Sequence, residues 1–569
     1  MPQFGAWLAA TIVTVSESIA TFLTFGATSG TLFQTVAWAV QTVITGGAMF
    51  FVGQAMMPKM ALDMNSRGTT FRAPTATRKI IYGEAKVGGA ILFLSEAKSP
   101  VDREHLYVIL GLAGHECEEI NTVYFQDEEL SISTTPATAG FVTSPARYYP
   151  NGQSRATINR TMRGQVGQTL STNFSTNTEL NVGDDFDGIC CLQLILAYDQ
   201  NVWTSGIPSI TAIVKGKKLY DPRTSNTVYS DNPALALRDY LTNTEYGMSV
   251  PLANIDDDNI IAAANVCDEQ VALDTAPVTY QKRYTCNGTL DTGNSYASNI
   301  ATIIGSMAGY MVYQDGRFKA FAGEWVAPTS TIGLDDLIGP ISVVTKASKR
   351  EAFNTVIGTY IGADSNYQPQ SFPQVQNAAA LSSDGEELKN ELMLPLSDNA
   401  ILCQRLAKIH LLRSRQELTV NLSLGLNKFA IACGDNVSLT LPSLGLKNAP
   451  FEVIEWNFGV TQGEGGPILG INVQLKQTDS SVFDWVATDG EEPAAVPDIV
   501  LTHNNTVTPP TFSLSVIQNT GEDGTVQDEI QVDITDPALD PFIYEYDIAV
   551  KETTEVNFDT TSILRDPLI

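Results

Sequence analysis

The sequence predicts a mainly β chain with an α+β block in its middle, a helical segment at its N-terminus and a small β-sandwich segment at its C-terminus. Three observations carry this. From Thr77 onward, short β-branched or aromatic runs are separated by Gly, Pro or charged turns. Between Asn232 and about Ala322, helix-start signals alternate with a hairpin signal. Between positions 3 and 57 the only charged side chain is Glu17, and apolar residues recur there at helical spacing.

In the N-terminal segment, Phe4, Leu8, Ile12, Val15, Ile19 and Phe22 form a seam at spacings of four and three, and Leu32, Val36, Val40 and Val43 continue it after Ala27–Gly30. Such a seam suits helix–helix packing. Three readings stay open: core helices, helices meeting partner chains near a symmetry axis, or membrane spans. Against spans, Thr, Ser, Gln and Gly stud both halves, and the first basic residue is Lys59, so the positive-inside signal is missing. Without a basic n-region the segment is not read as a secretory signal.

The first β stretch runs through Lys79–Glu84, Gly88–Leu94, His105–Leu112 and Ile120–Phe125, and resumes at Ile189–Tyr198 and Ile210–Val214. The Thr/Ser/Asn/Gln-rich stretch between reads as an insertion. Asn232-Pro233 is a cap followed by a proline tolerated in the first turn, and opens a helix that stops near Tyr246-Gly247. Asp256-Asp257-Asp258 places negative charge before a second helix, Asn259–Gln270. A third is expected over Asn299–Ala308, and Gln314-Asp315-Gly316-Arg317 reads as a hairpin turn. Strand texture returns from Ile341, interrupted by an amphipathic helix over Asp398–Arg415. Glu491–Pro497 has linker composition, and alternating runs follow it.

No segment points to catalysis or a cofactor. His115, Glu116, Cys117 and Glu118 are the densest group of possible ligands, but on a strand they divide between two faces and no second His or Cys pair lies nearby. Asp184-Asp185-Phe186-Asp187-Gly188 lacks EF-hand spacing. Cys190 and Cys191 are neighbours, no CxxC occurs, and seven scattered cysteines read as free buried thiols from a reducing compartment. His410 lies among Arg405, Lys408 and Arg413 and reads as part of a solvated or interface basic face. P-loop, GxGxxG, HExxH and GxSxG motifs are absent. No metal and no cofactor is expected, and the chain is not read as an enzyme.

Charge narrows the partners. Lys+Arg number 34 against 63 Asp+Glu in 569 residues, a formal −29 that repels rather than grips nucleic-acid phosphates. Charged residues make up only 17% of the chain, which suits broad protein–protein contact. The acid concentrates at the end: residues 498–569 hold 14 carboxylates against Lys551 and Arg565.

Several segments together resemble the tail tip proteins of long-tailed phages, the lambda-type tip attachment (host-specificity) proteins and related central hub proteins. The central signature is Tyr220-Asp221-Pro222-Arg223-Thr224, Ser230–Ala234 with Asn232-Pro233, Asp239-Tyr240-Leu241-Thr242-Asn243, and Tyr246-Gly247. Leu106–Gly114 with Glu118–Ile120, Gly206–Pro208 leading to Val214–Leu219, Cys286–Thr292, Tyr313–Lys319, and Arg405–Arg415 through Gly434–Val437 are similar to the family in the same order.

The resemblance implies a tail-hub architecture of two tube-like β-barrel domains with insertions. It places a helical segment at 1–60 for lumen, tape-measure or membrane contact, and a first hub barrel at 75–135 and 188–230 with a β domain inserted at 136–187. An α+β hub domain follows at 231–335, then a second barrel at 336–490 with helix 398–415, a linker at 491–497 and a fibronectin type III-like segment at 498–569. It further implies a homotrimer at the distal tail tip of the virion, assembled in the bacterial cytoplasm. Its partners would be tail or tube proteins, the tape-measure C-terminus, and tail fibre or receptor-binding proteins. DNA would pass through without specific binding, with possible host membrane contact on ejection. Lambda-type proteins run on into receptor-reading domains, whereas only one sandwich-like segment follows the second barrel here, so receptor binding by this chain stays open.

Overall fold

The computed structural model describes residues 77–485 apart from 98–104, 135–138, 182, 204–205, 275–276, 346–351 and 464–465, and beyond them the strands 511–520, 526–535, 545–550 and 559–564. The N-terminal seam from Phe4 to Val43 lies outside the described residues. The chain divides into two compact units, Met1–Pro497 and Asp498–Ile569. The described helices are α1 (Thr172–Asn177), α2 (Pro233–Thr242), α3 (Asp257–Asp268), α4 (Tyr296–Gly305), α5 (Ala378–Asp384) and α6 (Ala400–Ser414).

The first β body has two sheets over one core. One is ordered Ala90–Glu96, His105–Ala113, Cys190–Ala197, Ala156–Asn159, Gly140–Ser144, Ser131–Ile132; the other is Glu84–Gly88, Ile210–Lys215, Glu119–Phe125, Glu128–Glu129. Strand alternation explains the dense apolar run at 189–198. Leu192, Leu194 and Leu196 face the shared core with Val108, Leu110, Val123 and Val214. Cys191, with Tyr107 and Ile109, faces a second small core closed by Met162, Leu170 and Phe174 from the polar stretch. That stretch thus adds two strands to the larger sheet and covers its back.

The central core gathers α2, α3, α4 and the hairpin Tyr310–Gln314/Arg317–Phe321. It also takes in Phe353 and, from a three-stranded sheet, Val356, Tyr360, Leu392 and Leu394, with Leu402, Leu406 and Ile409 of α6. The remaining strands build a separate sheet, ordered Ser330–Ile332, Asn436–Leu441, Leu446–Gly463, Gly466–Gln477, Thr419–Leu424, Ser342–Val344. Its strands read buried at every second residue: Val420, Leu422, Leu424 and Val437, Leu439, Leu441 point inward. Each such side chain contributes roughly 1.5–3 kcal/mol by leaving water. The apolar residues of 336–490 therefore divide between two cores.

Mainly β structure with an α+β block is what the sequence predicts. The two barrels differ from expectation: among the described residues every sheet is an open strand order and none closes on itself. In the C-terminal unit the described strands form two antiparallel pairs, Thr511–Thr520 with Val526–Thr535 and Glu545–Val550 with Asp559–Leu564.

Candidate functional site

The signature residues converge on the joint between the first β body and the central core. Asn232 caps α2: its Oδ1 accepts from the amides of Ala234 at 3.1 Å and Leu235 at 3.4 Å, while its Nδ2 donates to Ala264 O of α3 at 2.9 Å. One buried side chain starts one helix and ties it to the next. Pro233 takes the first helical position, where no amide donor is needed.

Asp239, on the same helix, accepts from two tyrosine hydroxyls, Tyr82 at 2.8 Å and Tyr246 at 2.7 Å. Tyr82 is fully buried on strand Lys79–Tyr82, which pairs with Gly288–Asp291 across more than two hundred residues of sequence. Burial, then the Asp239 charge, pushes both hydroxyls above the ordinary tyrosine range. They therefore stay protonated as donors. Lys217 Nζ lies 3.9 Å from the other Asp239 oxygen and 4.9 Å from the Tyr246 ring centroid.

Beneath Tyr246 lies His115. Its Nδ1 donates to Glu116 O at 2.8 Å and its Nε2 accepts from the Ile81 amide at 2.9 Å, an arrangement that requires the neutral ring. Burial lowers its pKa to about 4. Gly247 is required by close approach: a Cβ there meets Tyr240 O at 2.1 Å. Tyr240 O–H is held by Asn299 Nδ2 at 2.9 Å, joining α2 to α4.

The turn carrying Asp221 and Pro222 is closed by Arg223. Its guanidinium meets Asp221 at 2.9–3.1 Å, Asp268 at 2.9 Å and Asn265 Oδ1 at 3.1 Å. Burial pushes the Asp221 carboxyl up, but the Arg223 hydrogen bonds and charge outweigh it and hold it below the ordinary range. Tyr220 stands half-exposed under the Arg238 guanidinium, which forks onto Asp257 at 2.7 and 3.0 Å.

A second tie, at Asn287, joins three segments. Asn287 Oδ1 accepts from the Glu84 amide at 3.0 Å, its Nδ2 donates to Asp398 Oδ2 at 3.0 Å, and its own amide donates to Leu396 O at 2.7 Å. Gly83, at φ 61°, makes room, since a Cβ there meets Asn287 Oδ1 at 2.0 Å. The sequence holds Asn287 within its family-like stretch but gives no sign of these partners, which are far away in the chain.

The other candidates meet partners within the chain or lie buried. Asp187 and Asp184 accept turn amides from Gly167 and Asn181. The seven cysteines are free and buried. Among the described residues no group of three or more His, Cys, Asp or Glu is placed to hold a metal ion. The basic face on α6 is corrected: Arg405 and His410 point inward. Arg405 donates to Arg283 O at 2.9 Å, and the His410 ring lies 4.6 Å from that of Phe353, tilted at 44°, and meets Asn390 Oδ1 at 3.0 Å. Facing charge inward is tolerated because these polar partners lie within the core.

A family model described as "Putative phage tail protein" matches residues 295–456. The baseplate hub protein pb3 of Escherichia phage T5 is 23% identical over 339 residues, 56% of this chain. The chain resembles phage tail hub proteins. The match spans 34% of the length of pb3, so this hub-like chain corresponds to a minor part of that relative. Among solved structures, a chain of the virion of a native gene transfer agent particle aligns with TM-score 0.49 at 15% identity, covering 74% of this chain and 89% of that one. The 43 kDa tail protein of prophage MuSo2 from Shewanella oneidensis aligns with TM-score 0.27 at 7% identity, covering 72% and 100%.

Proposed function

We propose that this chain is a structural hub of a long-tailed phage: a homotrimer that closes the distal end of the tail tube, anchors tip proteins and opens for DNA ejection. The observation that supports it is how the signature side chains are used. Asp239, Asn232, Arg223 and Asn287 direct their polar atoms at neighbouring segments of the same chain, tying strand Lys79–Tyr82 to α2, α2 to α3, the Asp221 turn to α3, and the strand that begins at Glu84 to the turn before α6. That is the chemistry of a scaffold. The likeness to the pb3 hub protein gives the scaffold its setting. The formal charge of −29 suits a conduit that DNA passes without sticking, to the extent that acid faces the channel. Infection with a phage lacking this chain, complemented in trans, tests the reading. Without it, tails are expected to be unfinished at the tip and non-infectious. Normally tipped, DNA-delivering particles would sink the proposal.

A second reading, that the hub also binds the host receptor through residues 498–569, is favoured by one observation. Phe512, Leu514 and Val516 line one face of a strand and are 62–67% exposed. Isolated full-length protein that competes with phage for host cells, and loses this with Leu514→Glu, would support it. Unchanged competition would not.

A further inference from the structure

The longest strands of the second sheet outrun it. Leu446–Gly463 and Gly466–Gln477 pair with each other along Phe451–Gly463, but the neighbouring strand reaches only Glu452 on one side and Ile471 on the other. From Trp456 to Gly463 and from Gly466 to Gly470 the two form a ribbon whose outer edges have no strand partner among the described residues. A two-stranded ribbon alone is marginal in water, and open edges invite pairing.

The side chains make the same point. Along one face run Val473 and Ile471, both buried in the core, then Leu469, 51% exposed. Across the ribbon on that face, Trp456 is partly buried and Phe458 is 51% exposed, beside an equally exposed Phe429 at 5.8 Å. Among the described residues the core-facing stripe continues past the core and is left about half-exposed at Phe458 and Leu469. The ribbon is also nearly free of charge: from Trp456 to Leu475 the sequence has one charged residue, Glu464. Two copies that each carry −29 repel over most of their surfaces, and meet at least cost where carboxylates are missing. The same chain offers a receiving edge. Ser342–Val344 ends the same sheet, has Val344 exposed, and lies in an uncharged stretch.

From this we infer that the ribbon docks on a second copy of this chain, laying its edge and its Phe458/Leu469 face against the neighbour's Ser342–Val344 strand. Each open sheet then continues into the next. Head-to-tail contact of this kind closes into a ring when the rotation between copies permits, and the ring supplies a closure that none of the described sheets shows within one chain. The inference rests on the oligomeric hub reading and specifies the surface that builds it.

Sedimentation and native mass of the full chain, at one concentration, test both levels separately. The wild-type chain is expected to be a closed oligomer. Phe458→Glu with Leu469→Glu is expected to yield folded monomer, while Val228→Glu, an exposed position on another hairpin, leaves the oligomer intact. Because all native cysteines are buried, a Phe458→Cys/Val344→Cys double variant is expected to form an oxidant-dependent covalent ladder that neither single variant gives beyond dimer. Oligomer persisting in the charged double variant, or no ladder, overturns the ribbon inference and leaves the hub reading standing. A monomeric wild-type chain overturns both. Should the charged variant fail to fold, the cross-link decides alone.

Discussion

Replacing Asp239 by Ala removes the acceptor shared by Tyr82 and Tyr246, which stand 2.8 and 2.7 Å from it. Tyr82 is 0% exposed and Tyr246 7%, so neither hydroxyl finds water without rearrangement. A buried polar group left unpaired costs about 1–3 kcal/mol, so the two together cost about 2–6 kcal/mol. Lys217, at 3.9 Å and partly exposed, adds little. With several cores in one chain, a single unfolding midpoint is ill-defined, and amide hydrogen exchange along Lys79–Tyr82 and α2 is the better assay. At 1.4 kcal/mol per tenfold, even 2 kcal/mol accelerates exchange there about thirtyfold. Adding Tyr82→Phe and Tyr246→Phe to the Asp239→Ala chain removes the orphaned donors and is expected to restore most of the loss, because deleting both sides of a buried hydrogen bond is far milder than deleting one. Unchanged exchange in Asp239→Ala, or no recovery in the triple variant, would refute the claim that this carboxylate ties strand Lys79–Tyr82 to α2.

Further predictions follow the same logic. His115 and His410 have folded pKa values lowered by burial to about 4 and about 3. The ordinary imidazole value is about 6.5. The unfolded chain thus binds more protons between these limits, and stability is full above about pH 6.5 and falls as pH drops toward about 4 and below. His115→Gln should reduce the proton uptake on unfolding at pH 5 by about one, and an unchanged slope would contradict the buried neutral ring. Gly247→Ala forces a Cβ to 2.1 Å from Tyr240 O and should destabilise α2 by roughly 2–4 kcal/mol, read from its amide hydrogen exchange. Gly333→Ala, with open space around it, should stay within about 0.5 kcal/mol. Asn287→Ala should speed limited proteolysis near residues 395–398, while equal cleavage rates would mean that the Asp398 contact holds nothing.

Local signals were legible in the sequence wherever the cause was local. Asn232-Pro233 opened α2, and Gln314-Asp315-Gly316-Arg317 joined the predicted hairpin. The helix at 398–415 is observed as Ala400–Ser414, capped by Asn399. What was not legible depends on distant partners. Strand Lys79–Tyr82 pairs with Gly288–Asp291, a register no window reveals. Gln368–Gln376 contains Pro369 and Pro373 and lacks strand propensity, yet is a strand because it lies at the edge of its sheet, where missing donors are tolerated. Helix α5 was missed although Asn377 caps its start and Gly385, at φ 73°, ends it. The inward turn of His410 was hidden too, since its partners Phe353 and Asn390 come from other strands and loops.

The central claim, a hub on the tail axis, is tested most directly by imaging intact particles that carry a small tag on this chain. The account predicts tag density at the distal tip, centred on the tail axis with three copies per virion. Density away from the axis, elsewhere on the particle, or in a copy number incompatible with threefold symmetry would contradict it.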